Sequence, residues 1–550
     1  MKKLPLFLLL ALSGLVGRSQ TTGELVYAIF QSSCNNSGCH NAADKAAGLD
    51  LEGSGLTVTD KLNDILAHTW DSLSHNPYNA GLGHRIIYPG DPYRSTLFRK
   101  VHHSLDASVN LSISEGEAMP SASQALRDEQ IELIRQWILF DDGATETSVD
   151  TTRIWDYYNN GGITSQPDAP PAPPAGQGFQ VHLGPFFMLP GTEEEFFWKY
   201  RTEQLIPADV EVTAVAPIFG TYSHHFILNR FETKADADGY EYGLRGSSSH
   251  FDATLVGVYQ FTDTLALPEE TAFQWPADSW LDFNSHHINY SPDKVMAANV
   301  YLNVYTQPLG TATQIMRSEM VPNFAIFIPA DNNQYTFELP YFNPIDFSER
   351  FIWSVTSHTH KYGTSFQVYS RNLDGSKNDL IYDAEYEDGD PASMYLGYDY
   401  KHPPQRFFPA YLPIRTMEGV IFRATYVNTG TTSVSWGETS EDEMMLLIYY
   451  YLEDTTGLPP IGRPDEQAAA HSLRVFPNPA GDHVWVSTED AGLKPSRLAI
   501  HDPQGRLVFD TELGGLSRER VHLPSLAPGA YVLTVTDSRG RRYWEKLILQ

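Results

Sequence analysis

Five prolines fall between Pro167 and Pro174, in the string Pro-Asp-Ala-Pro-Pro-Ala-Pro-Pro-Ala-Gly-Gln-Gly that closes at Gly178. Proline has a fixed φ and no amide hydrogen, so this stretch fits neither a helix interior nor a central strand. It reads as a semi-extended spacer without a core of its own. The 550-residue chain must therefore fold separately on its two sides, and its length suits three or four domains. From Phe179 the texture becomes short runs rich in Val, Ile, Phe, Tyr and Thr, broken by Pro, Gly, Asn and Asp. Val210–Val215, His225–Leu228, Val300–Tyr305, Thr336–Leu339, Phe366–Tyr369 and Leu446–Leu452 are examples. That is all-β texture, long enough for two sandwiches.

Met1 to about Ser19 carries Lys2 and Lys3, then the apolar Leu4–Val16, then small residues. This reads as a secretory signal peptide, cut after Ser19 or Gln20 and too short to span a bilayer. No later stretch approaches about 18 uninterrupted apolar residues, so no transmembrane segment is expected and the mature chain should be soluble. Net charge is −30. The last 80 residues hold 10 Lys/Arg against 9 Asp/Glu, so residues 1–470 carry the whole deficit. Nucleic acid is excluded as a partner, because phosphate binding needs clustered Lys and Arg. Only two cysteines are present, Cys34 and Cys39, so disulfides do not hold this fold together.

Those two cysteines lie in Cys34-Asn-Asn-Ser-Gly-Cys39-His40. A haem attached by thioethers needs two thiols and a following His for the iron, although the usual spacing has two intervening residues rather than four. A small local disulfide is the alternative. Further along come Tyr88-Pro89-Gly90-Asp91, then Ala118-Met119-Pro120, then Asp128–Phe140, where Ile131, Ile134, Trp137 and Ile138 share one helical face. With these residues the stretch resembles the single-haem cytochrome c domains of secreted bacterial enzymes. The resemblance implies one haem c bound covalently to Cys34 and Cys39, with His40 and Met119 as axial ligands. Met ligation would suit electron transfer. His102-His103 is a rival for the sixth position.

In the β region, Ser357-His358-Thr359-His360 follows the apolar Phe351–Val355. Alternate strand residues share a face, so two steps of strand rise set His358 and His360 about 6–7 Å apart on one side, where they can grip one ion. His224-His225, His286-His287 and Met444-Met445 supply further donors. Adjacent histidines on a regular strand face opposite ways, so His224 and His225 can serve one ion only at a strand end or bulge. Thioether with imidazole favours copper, particularly Cu(I). Each piece also has a plain alternative, as turn histidine or core methionine.

Taken in order, His224-His225, His286, His358-Thr359-His360 and Asp442-Glu443-Met444 resemble the copper type II, ascorbate-dependent monooxygenases, the family of dopamine β-hydroxylase and the peptide-amidating hydroxylase. His360-Lys-Tyr-Gly-Thr364, Tyr426-Val-Asn-Thr-Gly430 and Trp436-Gly437 extend the match over about 179–455. The resemblance implies two jelly-roll-like sandwiches and two copper ions. An electron-transfer copper would sit on His224, His225 and His286, and an O2-binding copper on His358, His360 and Met444, the catalytic set. His287 falls where the family often has Tyr and is left out. The amidating enzyme carries Arg two residues before its His-Thr-His, and Asn and Tyr just after its Met. Here Thr356, Leu446 and Ile448 occupy those places, so peptide amidation is not expected.

After a second linker, Phe476-Pro-Asn-Pro479, Gln504-Gly-Arg506 and Gly529-Ala-Tyr531 resemble the C-terminal sorting domain of type IX secretion in the Bacteroidetes. That implies a receptor-read address and a secreted or cell-surface protein; a small binding module is the alternative. The expected fold class is multidomain: a small all-α cytochrome c domain, two all-β jelly-roll-like sandwiches and a small β-sandwich tail. The expected boundaries are 1–19 signal peptide, 22–145 haem domain, 146–178 linker, 179–308 and 309–455 copper domains, 456–470 linker and 471–550 sorting domain. The function implied is hydroxylation of a C–H bond in a small organic substrate with O2. Electrons would come through the fused cytochrome or a soluble external reductant, and the type IX machinery is a further partner. A copper-binding electron-transfer protein without hydroxylase activity is the alternative. A third reading has no copper and β-domains that bind a partner.

Overall fold

The computed structural model of this chain describes residues 20–461 apart from 104, 107–108, 122–123, 167–168, 221–222, 241–242, 246–252, 260–263, 387–396, 402 and 438–440. In the tail it describes 473–476, 480–488, 495–501, 507–514, 516, 518–527, 529–537 and 542–549. The signal-peptide reading of 1–19 and the turn at Gln504-Gly505-Arg506 lie outside these residues, as do Pro477-Asn478-Pro479. The structure is mostly β, and its helices gather in the first of two compact units, 1–155 and 156–550.

The first unit is helical. Helix α1 (Thr22–Ile29) begins at a capping box in which Thr21 and Glu24 satisfy each other's amides, and α2 (Val58–Thr69) repeats the device with Thr57 and Asp60. Helix α3 (Asp128–Leu139) presents Ile131, Ile134, Trp137 and Ile138 to the interior, and all four are buried. Trp137 meets Phe30 and Trp70 edge to face, with ring centres 6.3 and 5.2 Å away, and its indole N–H donates to the Gly143 carbonyl at 3.0 Å. Burying an aromatic of this size stabilises the unit by roughly 1.5–3 kcal/mol.

The span 146–178, taken from sequence as a linker, contains a ten-residue helix, α4 (Thr151–Asn160). The prolines that follow offer carbonyls in place of amides: Pro170 accepts from Gln180 Nε2 and Pro171 from Asn303 Nδ2, both at 3.0 Å. A spacer without N–H donors can still be held by its acceptors.

The second unit opens with two packed sheets. One contains β1 (Gly178–Met188), Val210–Phe219, Thr271–Trp275 and Met296–Pro308. The other is five-stranded, and its inner strands are β2 (Glu193–Arg201), β3 (Ser223–Phe231) and β4 (Trp280–Ile288), with β4 central. Phe186 of β1 stacks on Phe196 of β2 at 4.7 Å, which seals one face of the five-stranded sheet. A second pair of four-stranded sheets follows. In one of them β5 (Glu349–Thr359) lies between Arg406–Arg415 and β6 (Met445–Leu452). Because β5 is central, its polar residues Ser354, Ser357 and Thr359 are as buried as Ile352 and Val355. The two sheet pairs meet where Tyr450 of β6 donates its hydroxyl to the Val256 carbonyl at 3.1 Å and approaches Phe273 at 6.2 Å. The tail forms two small sheets around Val484, Leu498, Ile500, Leu533 and Leu547.

Candidate metal centre

Registers decide which donors meet. In an antiparallel sheet, directly opposed residues share a face with Cβ atoms about 4.5–5.5 Å apart. His286 of β4 opposes Glu195 of β2 on one side and His225 of β3 on the other, so the three form one row across three strands. Their ligand atoms all lie within 4.8 Å of one another. The pairing slips between His286 and His287, and His287 then opposes Ser223. His224 therefore sits at a bulge in β3, the irregularity that a His-His pair needs if both are to serve one ion. The side chain of His224 lies outside the described residues.

Hydrogen bonds fix the row. His225 Nε2 donates to Asn284 Oδ1 at 2.8 Å, and Asn284 Nδ2 donates to Glu195 Oε1 at 2.7 Å. His286 Nε2 pairs with Glu193 at 2.7 Å. Burial works against the charge on Glu195. The bond from His225, the charges of His225 and His286, and the bond from Asn284 outweigh it and hold the carboxyl down to about 2. Glu195 thus stays an anion beside two imidazoles, a donor set suited to a first-row transition metal. His287 points to the core face instead, against Phe186 and Phe196, with Nε2 bonded to Ser285 Oγ at 2.7 Å. Burial, and then His286 and His225, push its pKa down to about 3, so it is a neutral core residue.

The second pair stands at the end of β5. The His358 and His360 rings are 5.1 Å apart and nearly perpendicular. His360 Nδ1 lies 3.0 Å from the Asp442 carbonyl, which can only accept, so Nδ1 carries the proton and Nε2 keeps its lone pair. Burial drives both pKa values down, reinforced at His358 by His360 and His225, and both rings are neutral, the form that binds a metal. Glu443 ties the loop: its carboxylate accepts from the amides of His360, Tyr362 and Met444 at 2.9, 2.7 and 3.2 Å.

Of the two methionines, Met445 opposes Thr359, is fully buried, and accepts from Asn323 Nδ2 on sulfur at 3.3 Å. Half-buried Met444 stands one residue beyond the last paired position of β6, and its amide donates to the Glu443 carboxylate at 3.2 Å. The two histidine pairs come together: the His225 and His358 rings are 6.3 Å apart, their planes nearly perpendicular. Glu195, Asn284 and Glu443 carry roles the sequence does not announce. The sign of Glu195 in the sequence is an acidic triplet, Glu193–Glu195, set directly before the aromatic Phe196-Phe197-Trp198.

In the helical unit, both thiols are unpaired, so Cys34 and Cys39 form no disulfide. Cys34 is buried, and burial and then Cys39 push its thiol up to about 12. The His40 amide donates to the Cys34 carbonyl at 3.0 Å. His40 Nδ1 is buried without a hydrogen-bond partner among the described residues, which leaves the ring nitrogen for another bond. Met119 is 44% exposed, and its carbonyl pairs with His103 Nε2 at 3.1 Å. His102, the rival ligand, is buried beside Phe98 at 6.0 Å.

A separate cavity of about 310 Å³ is lined by Tyr341, Asn343, Arg350, Thr416 and Tyr449 among others. Its cation is answered within the protein, since Arg350 pairs with Glu319 at 3.1 Å and with the Tyr449 hydroxyl.

Residues 474–550 match the family described as "Secretion system C-terminal sorting domain". The chain therefore carries the address for export by the type IX route to the cell surface or beyond. Among the described residues, no helix is long and apolar enough to cross a membrane. No curated protein matches the chain. Among solved structures, a Faecalibacterium prausnitzii beta-glucuronidase is similar at TM-score 0.17 and 11% identity, over 39% of this chain and 36% of that one. A Ruminococcus gnavus beta-glucuronidase gives TM-score 0.17 and 10% identity over 42% of this chain and 44% of that one. The BSP domain of a biofilm-associated protein gives TM-score 0.14 and 7% identity over 66% and 83%. The chain spans less than half the length of either glucuronidase, and at these TM-scores the likeness carries no argument.

Proposed function

We propose that this chain is a secreted copper-dependent monooxygenase that hydroxylates a C–H bond of a small organic substrate with O2. The observation that supports the reading is the convergence of His225, His286, His358 and His360, from three separate stretches of sequence, on one cluster of imidazoles beside an ionised Glu195. Copper bound there would supply one-electron redox chemistry and a site for O2. His225, His286 and Glu195, with His224 beside them, would hold one ion, and His358, His360 and Met444 the other. The residues orient these donors: Asn284 aligns His225 with Glu195, and the Asp442 carbonyl turns His360 Nε2 outward. The two electrons that hydroxylation needs come from an external reductant. In the helical unit, Cys34, Cys39 and His40, with Met119 as sixth ligand, would hold one haem c, which supplies one-electron transfer.

Thr356 and Ile448 oppose one another on β5 and β6, and both are buried, as is Leu446. No charged grip for a peptide carboxylate stands at those positions, which favours a substrate other than a peptide acid. It also keeps open a second reading, a copper electron-transfer protein on the same scaffold. Oxygen uptake coupled to hydroxylated product across phenethylamines, lipids and peptides, with His358→Ala as control, separates the two. Copper-loaded protein that forms product only with His358 intact supports the monooxygenase; no product from any class favours electron transfer.

A further inference from the structure

The helical unit holds Met119 by both ends of its backbone. The Met119 amide donates to the Lys100 carbonyl at 2.7 Å, and the Met119 carbonyl lies 3.1 Å from His103 Nε2. A carbonyl can only accept, so Nε2 carries the proton there and is committed to Met119. The chain leading to Met119 is laced to the same helix, Thr96–Val101. Arg99 Nη2 donates to the Asn110 carbonyl at 3.1 Å and, together with Nε, to the Glu115 carboxylate. Lys100 Nζ donates to the Glu117 carbonyl at 2.7 Å. His103, just past the helix, has φ +43°, a left-handed backbone that a non-glycine residue keeps only where its surroundings hold it.

What this frame leaves uncommitted is the Met119 thioether, on a side chain that stays 44% exposed although both backbone polar groups are paired. The two rivals for the sixth haem position are engaged elsewhere, His103 through Nε2 and His102 by burial against Phe98. A methionine side chain is flexible, so a backbone fixed beforehand removes much of the freedom that binding would otherwise cost. A ligand prepared in this way competes better with molecules from solution.

We propose that His103 is a positioning residue: its imidazole and the Lys100 carbonyl fix the Met119 backbone so that the thioether stays on the haem iron and keeps outside ligands off it. The inference rests on the haem reading above and deepens it, making the haem a six-coordinate electron carrier rather than a site for small gases.

The test is absorption spectroscopy and redox titration of the full chain carrying covalently bound haem, with carbon monoxide as the probe ligand. The ferric wild type should show the weak long-wavelength band of a thioether–iron bond, and the ferrous form should bind carbon monoxide poorly. Met119→Ala should abolish the band and lower the potential, since Met ligation raises it. His103→Ala should weaken the band, lower the potential and raise carbon monoxide affinity by about 10–100-fold, the usual effect of removing a group that orients a ligand. His103→Gln, which keeps an N–H donor for the Met119 carbonyl, should restore most of the wild-type behaviour. A His103→Ala protein with the wild-type band, potential and carbon monoxide affinity would overturn the positioning role and leave the haem reading intact. A wild type that lacks the band, or binds carbon monoxide freely, would overturn the proposal even if His103→Ala fails to fold. A chain without covalent haem would overturn both the inference and the reading it rests on.

Discussion

Glu443 holds His360 by its backbone: one carboxylate oxygen accepts the His360 amide at 2.9 Å while the other accepts the Tyr362 amide at 2.7 Å. The same group accepts the Met444 amide, so one fully buried carboxylate aligns two proposed ligands that lie far apart in sequence. Burial pushes its pKa up to about 7 against these bonds, so the anion is held at a cost. Glu443→Gln replaces one acceptor oxygen by a donor and leaves a backbone N–H facing it. A loss of about 1–3 kcal/mol in stability is expected. Copper affinity at His358 and His360 should fall by about 10–100-fold, as for other groups that orient metal ligands. Isothermal titration with copper checks this, and unchanged affinity would remove the clamp from the account.

Gly363 tests the same loop from the other side. A Cβ there would come within 2.2 Å of Thr359 Oγ1 and 2.8 Å of Thr359 Cβ. Thr359 is buried between the two proposed ligands and bonds the Tyr398 hydroxyl at 2.6 Å, so it cannot move aside freely. Gly363→Ala is expected to lower stability by about 1–3 kcal/mol, the usual range for overpacking. Thermal unfolding of the metal-free chain gives the value, and a change below about 0.5 kcal/mol would show the loop to be pliant.

The helical unit should respond to acid through Glu115. Its two carboxylate oxygens take Arg99 Nε at 2.7 Å and Nη2 at 2.6 Å, and the side chain is buried. Burial opposes the charge, but the bonds from Arg99 and the Ser112 amide hold the pKa down to about 2. A folded value below the unfolded one, about 4.3, gives stabilisation that is complete above that pH and lost as pH falls from 4.3 towards 2. Unfolding of the unit by tryptophan fluorescence should therefore show a falling midpoint across that window. Glu115→Gln should start lower by about 1–3 kcal/mol and lose that component of the pH dependence.

The tail is expected to act in transport alone. Deleting residues 474–550 should leave the protein cell-associated, whereas the full chain reaches the surface or the medium. Immunoblots of cell and culture fractions decide it, and equal export of both would detach the tail from secretion.

Strand alternation made part of the site legible. It set His358 and His360 on one face, and the irregularity required by His224-His225 has its counterpart in the slipped register beside His286. Glu195 was not legible, because its role depends on which residue of β4 it opposes, and register across three strands is written in no local pattern. Asn284 is hidden for the same reason. The helix Thr151–Asn160 went unread because the neighbouring prolines dominate that span, although only Ile154 of the helix is fully buried and its apolar signal is weak. His287 shows the reverse case: adjacent to a proposed ligand and chemically identical, it is turned by one strand step into the core.

Under the proposed function the β body would hold two coppers, on the histidines of two different sheet pairs. Elemental analysis of copper in the full chain, after loading and exhaustive dialysis, tests it most directly. Two coppers per chain are expected, falling to one when His358 and His360 are both replaced by Ala. A wild-type chain that retains no copper, or a double variant that still retains two, would contradict the account.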